Sequence, residues 1–402
     1  MIESLEAKSL SQYETLQRIL SAGFQFGGSF ALWRKPHSSE LELTFDDQKE
    51  VRRVDLNLEE SKAGFIIHPF EDQEDQKAFF IEAKEYFKIP LEQKDEPIQL
   101  PDWMHQFSQT LDKKEIVQAF NLENPQTSSS EHDGTSKSNF LDLVEKSISA
   151  IQEGYLEKVV PARTKILPIP EDFDLAKSLL SLLKSYPNSF VNFFHLPGIG
   201  TWMGASPEIL IETKEDWFYT MSLAGTQAAK GENPLKAAAW TQKEIEEQAL
   251  VSRYIVDCFK KIRLREYEEH GPKTVLAGNL LHLRSDFRVN MKETNFPQLG
   301  SVMLQLLHPT SAVCGMPRKE AHDFLKNYEG FDRKFFAGFI GPVNIEKKTS
   351  IFVNLRTASF SDQFITLYAG AGVTEDSDPE KEWEETELKC NIIGKFIQKP
   401  QL

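Results

Sequence analysis

Apolar residues recur along this chain with two periods, and the places where one period gives way to the other predict its elements. Ser11 with Glu14 forms a possible capping box, predicting a short helix that ends near Gly23. Alternating runs follow at residues 30–33 and 41–45 and predict strands, whereas residues 75–87 read as helical. Residues 124–139 are small and polar almost throughout, which predicts a loop or linker. A working boundary falls there: residues 1–140 form one part and 141–398 another, within one large unit.

Beyond the boundary, Leu141, Val144, Ile148 and Ile151 recur at helical spacing up to Gly154. Strands are predicted at 158–167, 190–195, 201–205, 209–213, 217–222, 274–284, 351–360 and 364–368, and helices at 243–264, 319–328 and 380–397. Most strands follow one another through short turns, such as that at 344–348, which favours antiparallel pairing. The predicted class is α+β with helices packed outside, rather than a doubly wound sheet.

Composition narrows the partners. The 402 residues are 40% hydrophobic and 27% charged, ordinary for a folded chain. A formal net charge of -15 with no basic stripe argues against a nucleic-acid or anionic-membrane partner, so an anionic ligand would meet few, local cations. Cys258, Cys314 and Cys390 are far apart and match no zinc or thiol-exchange spacing, which points to a reducing compartment. The first residues lack the apolar segment of a secretory signal, and no run reaches the roughly 18 apolar residues needed to span a bilayer. A soluble, cytoplasmic protein, monomeric or weakly dimeric, is expected.

The densest chemistry lies between Tyr368 and Lys389. A strand there ends in Ala369-Gly370-Ala371-Gly372, where backbone N–H groups could face an anion, and Asp378 before Pro379 signals a helix start. The helix then carries Glu382, Glu385 and Lys389 on one face, a place to hold a metal ion beside an anionic ligand. Glu385 and Lys389 are also what a plain solvated helix would carry, worth about 0.3–0.5 kcal/mol. Other candidates are scattered. Lys158 opens an apolar strand, where a lysine needs a partner or a lowered pKa; Glu208 ends the turn Gly204-Ala205-Ser206-Pro207-Glu208; Glu244 and Glu247 are spaced i, i+3 on a helix. Gly225 and Thr226 close Leu223-Ala224-Gly225-Thr226, His282 sits in an apolar run, and Leu307-His308-Pro309-Thr310 precedes another. Arg356 lies amid apolar strand residues and wants a planar anionic partner such as a carboxylate.

Each segment is weak alone, but their order is informative. KVVPAR, GASPE, LAGT, a glutamate-bearing helix, LHPTSAVCGMP, FDRKFFAG, LR, AGAG and EWEETELK follow in the order seen in chorismate-utilising enzymes, which this chain resembles over about residues 141–398. The resemblance implies two stacked antiparallel β-sheets with helices outside, completed by residues 1–140. It also implies an isomerase: Lys158 matches the water-activating lysine, where amine-adding members carry glutamine, and Ala224 agrees. The expected reaction is Mg2+-dependent conversion of chorismate to isochorismate, with menaquinone as the expected pathway. A salicylate synthase, a siderophore-pathway isochorismate synthase and a non-catalytic chorismate-binding subunit are the alternatives.

By the same resemblance Lys158 is the general base and Glu208 the general acid. Glu247 and Glu385 match the magnesium ligands, with Glu382 and Glu244 as acids nearby. Arg356 is expected on the enolpyruvyl carboxylate, and Lys389, with N–H groups of Gly225, Gly370, Ala371 and Gly372, on the ligand's anionic rim; His282 lines the ring pocket. Pro161, Ile245, Gln248 and Asn354 depart from the family's usual residues, Gln248 standing where a histidine adjoins the metal-binding glutamate.

Overall fold

The structure, a computed structural model, describes residues 10–71, 76–91, 100–107, 110–120, 134–231, 233–277 and 280–397. Two antiparallel sheets dominate it. The first runs, edge to edge, Glu85–Pro90, Glu40–Asp46, Ser29–Arg34, Phe190–Leu196, Gly200–Ser206, Thr357–Phe360, Phe364–Gly370 and Ala162–Pro168. The second runs Glu268–Ala277, Leu280–Asn290, Trp217–Ala228, Ile209–Lys214, Lys348–Val353, Phe339–Val343, Gly64–His68, Ala78–Glu82 and Arg52–Val54. A two-stranded piece pairs Lys158–Val159 with Gly315–Met316.

Strand alternation explains the layering. In Phe190–Leu196, Phe190 and Phe194 face the second sheet while Val191 and Phe193 face outward. Aromatic residues fill the space between the sheets: Trp33 meets Phe65 at 5.2 Å between centroids, and Phe190 stacks on Phe352 at 3.9 Å. Each such ring contributes about 1.5–3 kcal/mol by burial. The outer face of the first sheet lies under the helices Gln12–Phe26 and Leu175–Ser185, and that of the second under Gln242–Lys261 and Leu299–Leu307. This is the α+β stack of two antiparallel sheets that the short turns implied.

Several predicted elements are corrected. The helix predicted at 75–87 is two strands, Ala78–Glu82 and Glu85–Pro90, one in each sheet; residues 72–75 lie outside the described residues. Glu, Lys and Ala there suggested a helix, but the aromatic and apolar run Phe79-Phe80-Ile81 decides the outcome by packing. The first helix continues past Gly23 to Phe26 and stops at Gly27, whose φ of 72° suits glycine. The strand predicted at 158–167 breaks at Val160 and Pro161, since proline offers no N–H to a ladder. The strand predicted at 274–284 is a pair, Glu268–Ala277 and Leu280–Asn290. Of the predicted polar linker, residues 124–133 lie outside the described residues, and the helix Lys137–Gln152 begins within its end.

One more correction bears on chemistry. The strand predicted at 351–360 is two, because the chain leaves the second sheet after Val353 and enters the first at Thr357. A crossing in the other direction, at Pro207 and Glu208, joins Gly200–Ser206 to Ile209–Lys214. The crossings are neighbours, since the strands at both ends pair in their respective sheets. Backbone bonds tie them together: Ala205 N–H donates to the Arg356 carbonyl at 3.0 Å and Val353 N–H to that of Glu208 at 3.1 Å.

Candidate active site

The twin crossings set Glu208 and Arg356 in one buried region between the sheets. Burial pushes the Glu208 carboxyl up to about 8, against the opposing pull of Lys158, Arg356 and Lys389. Arg356 has a φ of 49°, a left-handed conformation held by the surrounding strands. Its Nη2 donates to His282 Nε2 at 2.5 Å, and His282 Nδ1 donates to the Gly225 carbonyl at 2.7 Å. These partners assign the neutral ring with its proton on Nδ1. Burial, reinforced by Arg356, holds the ring well below the usual histidine range. Gly225 can serve because the ladder between Trp217–Ala228 and Leu280–Asn290 slips register there, and its φ of 69° is one glycine adopts freely.

The second half of the site is built from buried ions. Lys158 is fully buried, and its Nζ lies 3.0 Å from Glu247 Oε1. Gly225 N–H donates to the other Glu247 oxygen at 3.2 Å. Burial would raise Glu247, but Lys158 overrides it, with help from Lys243 and Lys389, and the carboxyl is held below its usual range. Gly372 makes the approach possible, since a Cβ there would stand 2.2 Å from Glu247 Oε1. On the helix Pro379–Gly394, Lys389 pairs with Glu385 at 2.8 Å and donates to the Gly370 carbonyl at 2.8 Å.

These groups surround a cavity whose empty volume, counted together with its open mouth, is about 700 Å³. Glu208, Gly225, Thr226, Glu247, His282, Arg356, Gly372, Glu385 and Lys389 line it. Lys158 lies behind Glu247, close enough to act electrostatically on Glu208. The partner that a lysine in an apolar strand requires is here the Glu247 carboxylate.

Other candidates lie elsewhere. Ala371 is buried and donates its N–H to the Pro161 carbonyl at 3.1 Å, so that group does not face a ligand. Glu244 is a helix cap: Oε2 accepts from the Thr241 N–H and hydroxyl at 2.6 and 2.9 Å, and Oε1 from Gln227 at 3.0 Å. Glu382 is buried against Lys243, and burial with Glu385 nearby raises it to about 7. Gln248 points away from the cavity and donates to Ser222 at 2.7 Å, so it takes no part in orienting Glu247. His308 packs its ring on Phe339.

Arg333 is a wall residue that the sequence reading passed over. It pairs with Glu329 through two 2.7 Å bonds and donates to the Val313 and Val160 carbonyls at 2.8 and 2.7 Å. Glu329 also accepts from Ala162 N–H at 2.6 Å. The pair thereby ties the segment after Lys158 to the loop at Val313. A lone arginine before the aromatic pair Phe335-Phe336 was the available signal.

Among the described residues no three carboxylate, histidine or cysteine side chains converge as a ready metal cage. Glu247 and Glu385 nonetheless line one cavity and offer hard oxygens, a sparse donor set that suits Mg2+ completed by water and a ligand carboxylate. No helix among the described residues is long and apolar enough to cross a membrane.

Comparison with known proteins places the chain. Residues 38–398 match the family model described as chorismate binding enzyme. The isochorismate synthase MenF of Escherichia coli is 27% identical over 276 residues, 68% of this chain and 63% of that protein. The isochorismate synthase DhbC of Bacillus subtilis is 28% identical over 262 residues, 62% of this chain and 65% of that protein. The matched stretch therefore spans just under two thirds of these relatives' own length. The same fold occurs in a 2,3-dihydroxybenzoate-specific isochorismate synthase of Bacillus anthracis, with a TM-score of 0.72 at 20% identity, covering 96% of this chain and 99% of that one. The menaquinone-specific isochorismate synthase of Escherichia coli superposes with a TM-score of 0.71 at 21% identity, covering 94% and 91%. With the match extending over nearly all of both sheets and every wall of the cavity, the chain is a member of the chorismate-binding enzyme family.

Proposed function

We propose that this chain is an isochorismate synthase that adds water at C2 of chorismate and expels the C4 hydroxyl. The observation that supports this best is a cavity-wall carboxyl raised to about 8, Glu208, with a fully buried lysine, Lys158, directly behind the neighbouring wall residue Glu247. Water addition needs a base on one side of the ring and an acid on the other. In this reading Lys158 acts in its neutral form, its Nζ taking a proton from the attacking water, while Glu208 gives its proton to the leaving hydroxyl, which departs as water. Each role is worth roughly 10²- to 10⁴-fold in rate.

The remaining residues bind and orient. Arg356, aimed by His282, takes the enolpyruvyl carboxylate, and Lys389 and the Gly372 backbone frame the anionic rim, the Gly225 N–H being committed to Glu247 instead. Glu247 and Glu385 are the ligands offered to a Mg2+ ion, whose charge would offset the ring carboxylate when bound.

The names of the relatives divide between menaquinone and siderophore or salicylate formation at similar identity, 25–27% for the MenF proteins and 26–29% for the others, and menaquinone is the pathway we propose. Incubation with chorismate and Mg2+, followed by chromatography, tests the reaction; isochorismate as the product is expected. Salicylate with pyruvate would make the chain a salicylate synthase instead. Chorismate bound without turnover would make it a binding subunit. Restored menaquinone content in a strain lacking isochorismate synthase tests the pathway.

A further inference from the structure

Three ammonium groups pair with three carboxylates at the cavity or next to it: Lys389 with Glu385 in its wall, Lys158 behind the wall residue Glu247, and Lys243 with Glu382 outside the lining. The first two lysines have further ties. Lys158 is fully buried, and Lys389 also donates to the Gly370 carbonyl. Lys243 differs in place. It stands in the first turn of the helix Gln242–Lys261, its side chain is 25% exposed, and it reaches across to Glu382, 1% exposed, in the first turn of Pro379–Gly394. The carboxylates acting on it are, in order, Glu382, Glu385 and Glu247. Its ammonium thus sits among the same carboxylates that would draw a divalent cation, on an ion pair that joins the two helices bearing Glu247 and Glu385.

Two cations cannot share that position cheaply, since like charges a few ångströms apart in a partly solvated site repel strongly. We propose that Lys243 is the resident counter-ion of this carboxylate cluster, displaced toward solvent when a divalent ion binds, with Glu382 handed over to that ion. Lys243 then sets the metal affinity: it holds the Glu382 side chain in place while no ion is bound and competes with the ion for it. The proposal rests on the reading of Glu247 and Glu385 as metal ligands. The long flexible stem of lysine and its solvent-side position make the exchange possible without movement of either helix.

The test is metal binding without substrate. Mn2+ is titrated into the protein with free Mn2+ followed by electron paramagnetic resonance, and Mg2+ by calorimetry, for the parent, Lys243→Met, Lys243→Gln, Lys243→Arg and Glu247→Gln. Removal of the charge in Lys243→Met and Lys243→Gln is expected to tighten Kd by about tenfold. Lys243→Arg, which keeps a cation, is expected to remain within about twofold of the parent. Unchanged or weaker binding in both uncharged variants, with Glu247→Gln still weakening it, overturns the role of Lys243 alone. If neither ion binds the parent and Glu247→Gln changes nothing, the metal-ligand reading falls and the proposal falls with it.

Discussion

Nη2 of Arg356 donates to Nε2 of His282 across 2.5 Å, joining the first-sheet crossing to a strand of the second sheet. The imidazole is thereby an acceptor, and its own proton is committed to the Gly225 carbonyl. In His282→Ala the arginine loses a buried acceptor and its aim. We expect KM for chorismate to rise by about tenfold, with a smaller effect on kcat. Because the ring is held well below its usual pKa, the kcat/KM profile of the parent should carry no limb near pH 6.5 from this residue.

Glu208 gives the clearest pH signature. A general acid must be protonated, so kcat/KM should fall as pH rises through about 8. Stability follows the same group: the carboxyl moves from 4.5 to about 8 on folding. A group with a raised folded pKa contributes stability that is complete below pH 4.5 and lost as pH rises through 8. Glu208→Gln should abolish turnover, and its melting temperature, measured by calorimetry, should gain on the parent between those limits. A constant difference across that window would contradict the buried acid.

Lys158→Met removes the base and strands Glu247, whose buried carboxylate then lacks its lysine. Turnover should drop by at least roughly 10²-fold, and urea unfolding should report a loss of about 3 kcal/mol. Parent-like activity in this variant would remove Lys158 from the mechanism.

Gly372→Ala is a small change with a large expected effect. The new methyl would overlap Glu247 Oε1, which must turn away. Weaker Mg2+ binding by calorimetry, lower activity and a lower melting temperature are expected, because the turn of Glu247 also disturbs its buried pair with Lys158.

Arg333→Met should act through structure. It leaves Glu329 buried without its guanidinium and frees the Val160 and Val313 carbonyls. A loss of roughly 3–5 kcal/mol in urea unfolding is expected.

Motif order made most of the cavity legible: nine of the candidate residues line it, and the ion pair of Lys158 joins that wall from behind. Environment was harder to read. The raised Glu208 follows from a sheet crossing, and the split between Val353 and Thr357 is hidden in a run that reads as one strand. Glu244 illustrates a competing role, because Thr241 three residues earlier completes a capping box that absorbs its carboxylate. The strands at Ala78–Glu82 and Glu85–Pro90 were misread because local propensity favoured a helix while inter-sheet packing selected otherwise.

Hanging the acid and the carboxylate anchor on adjoining rungs between two plates makes their spacing a property of how the plates are aligned. Strands Ser29–Arg34 and Gly64–His68, well separated in sequence from either group, pin that alignment through the Trp33 and Phe65 rings. Substitutions deep in the amino-terminal region should therefore be felt at the reacting bond as a change of gauge, even where no cavity wall is altered.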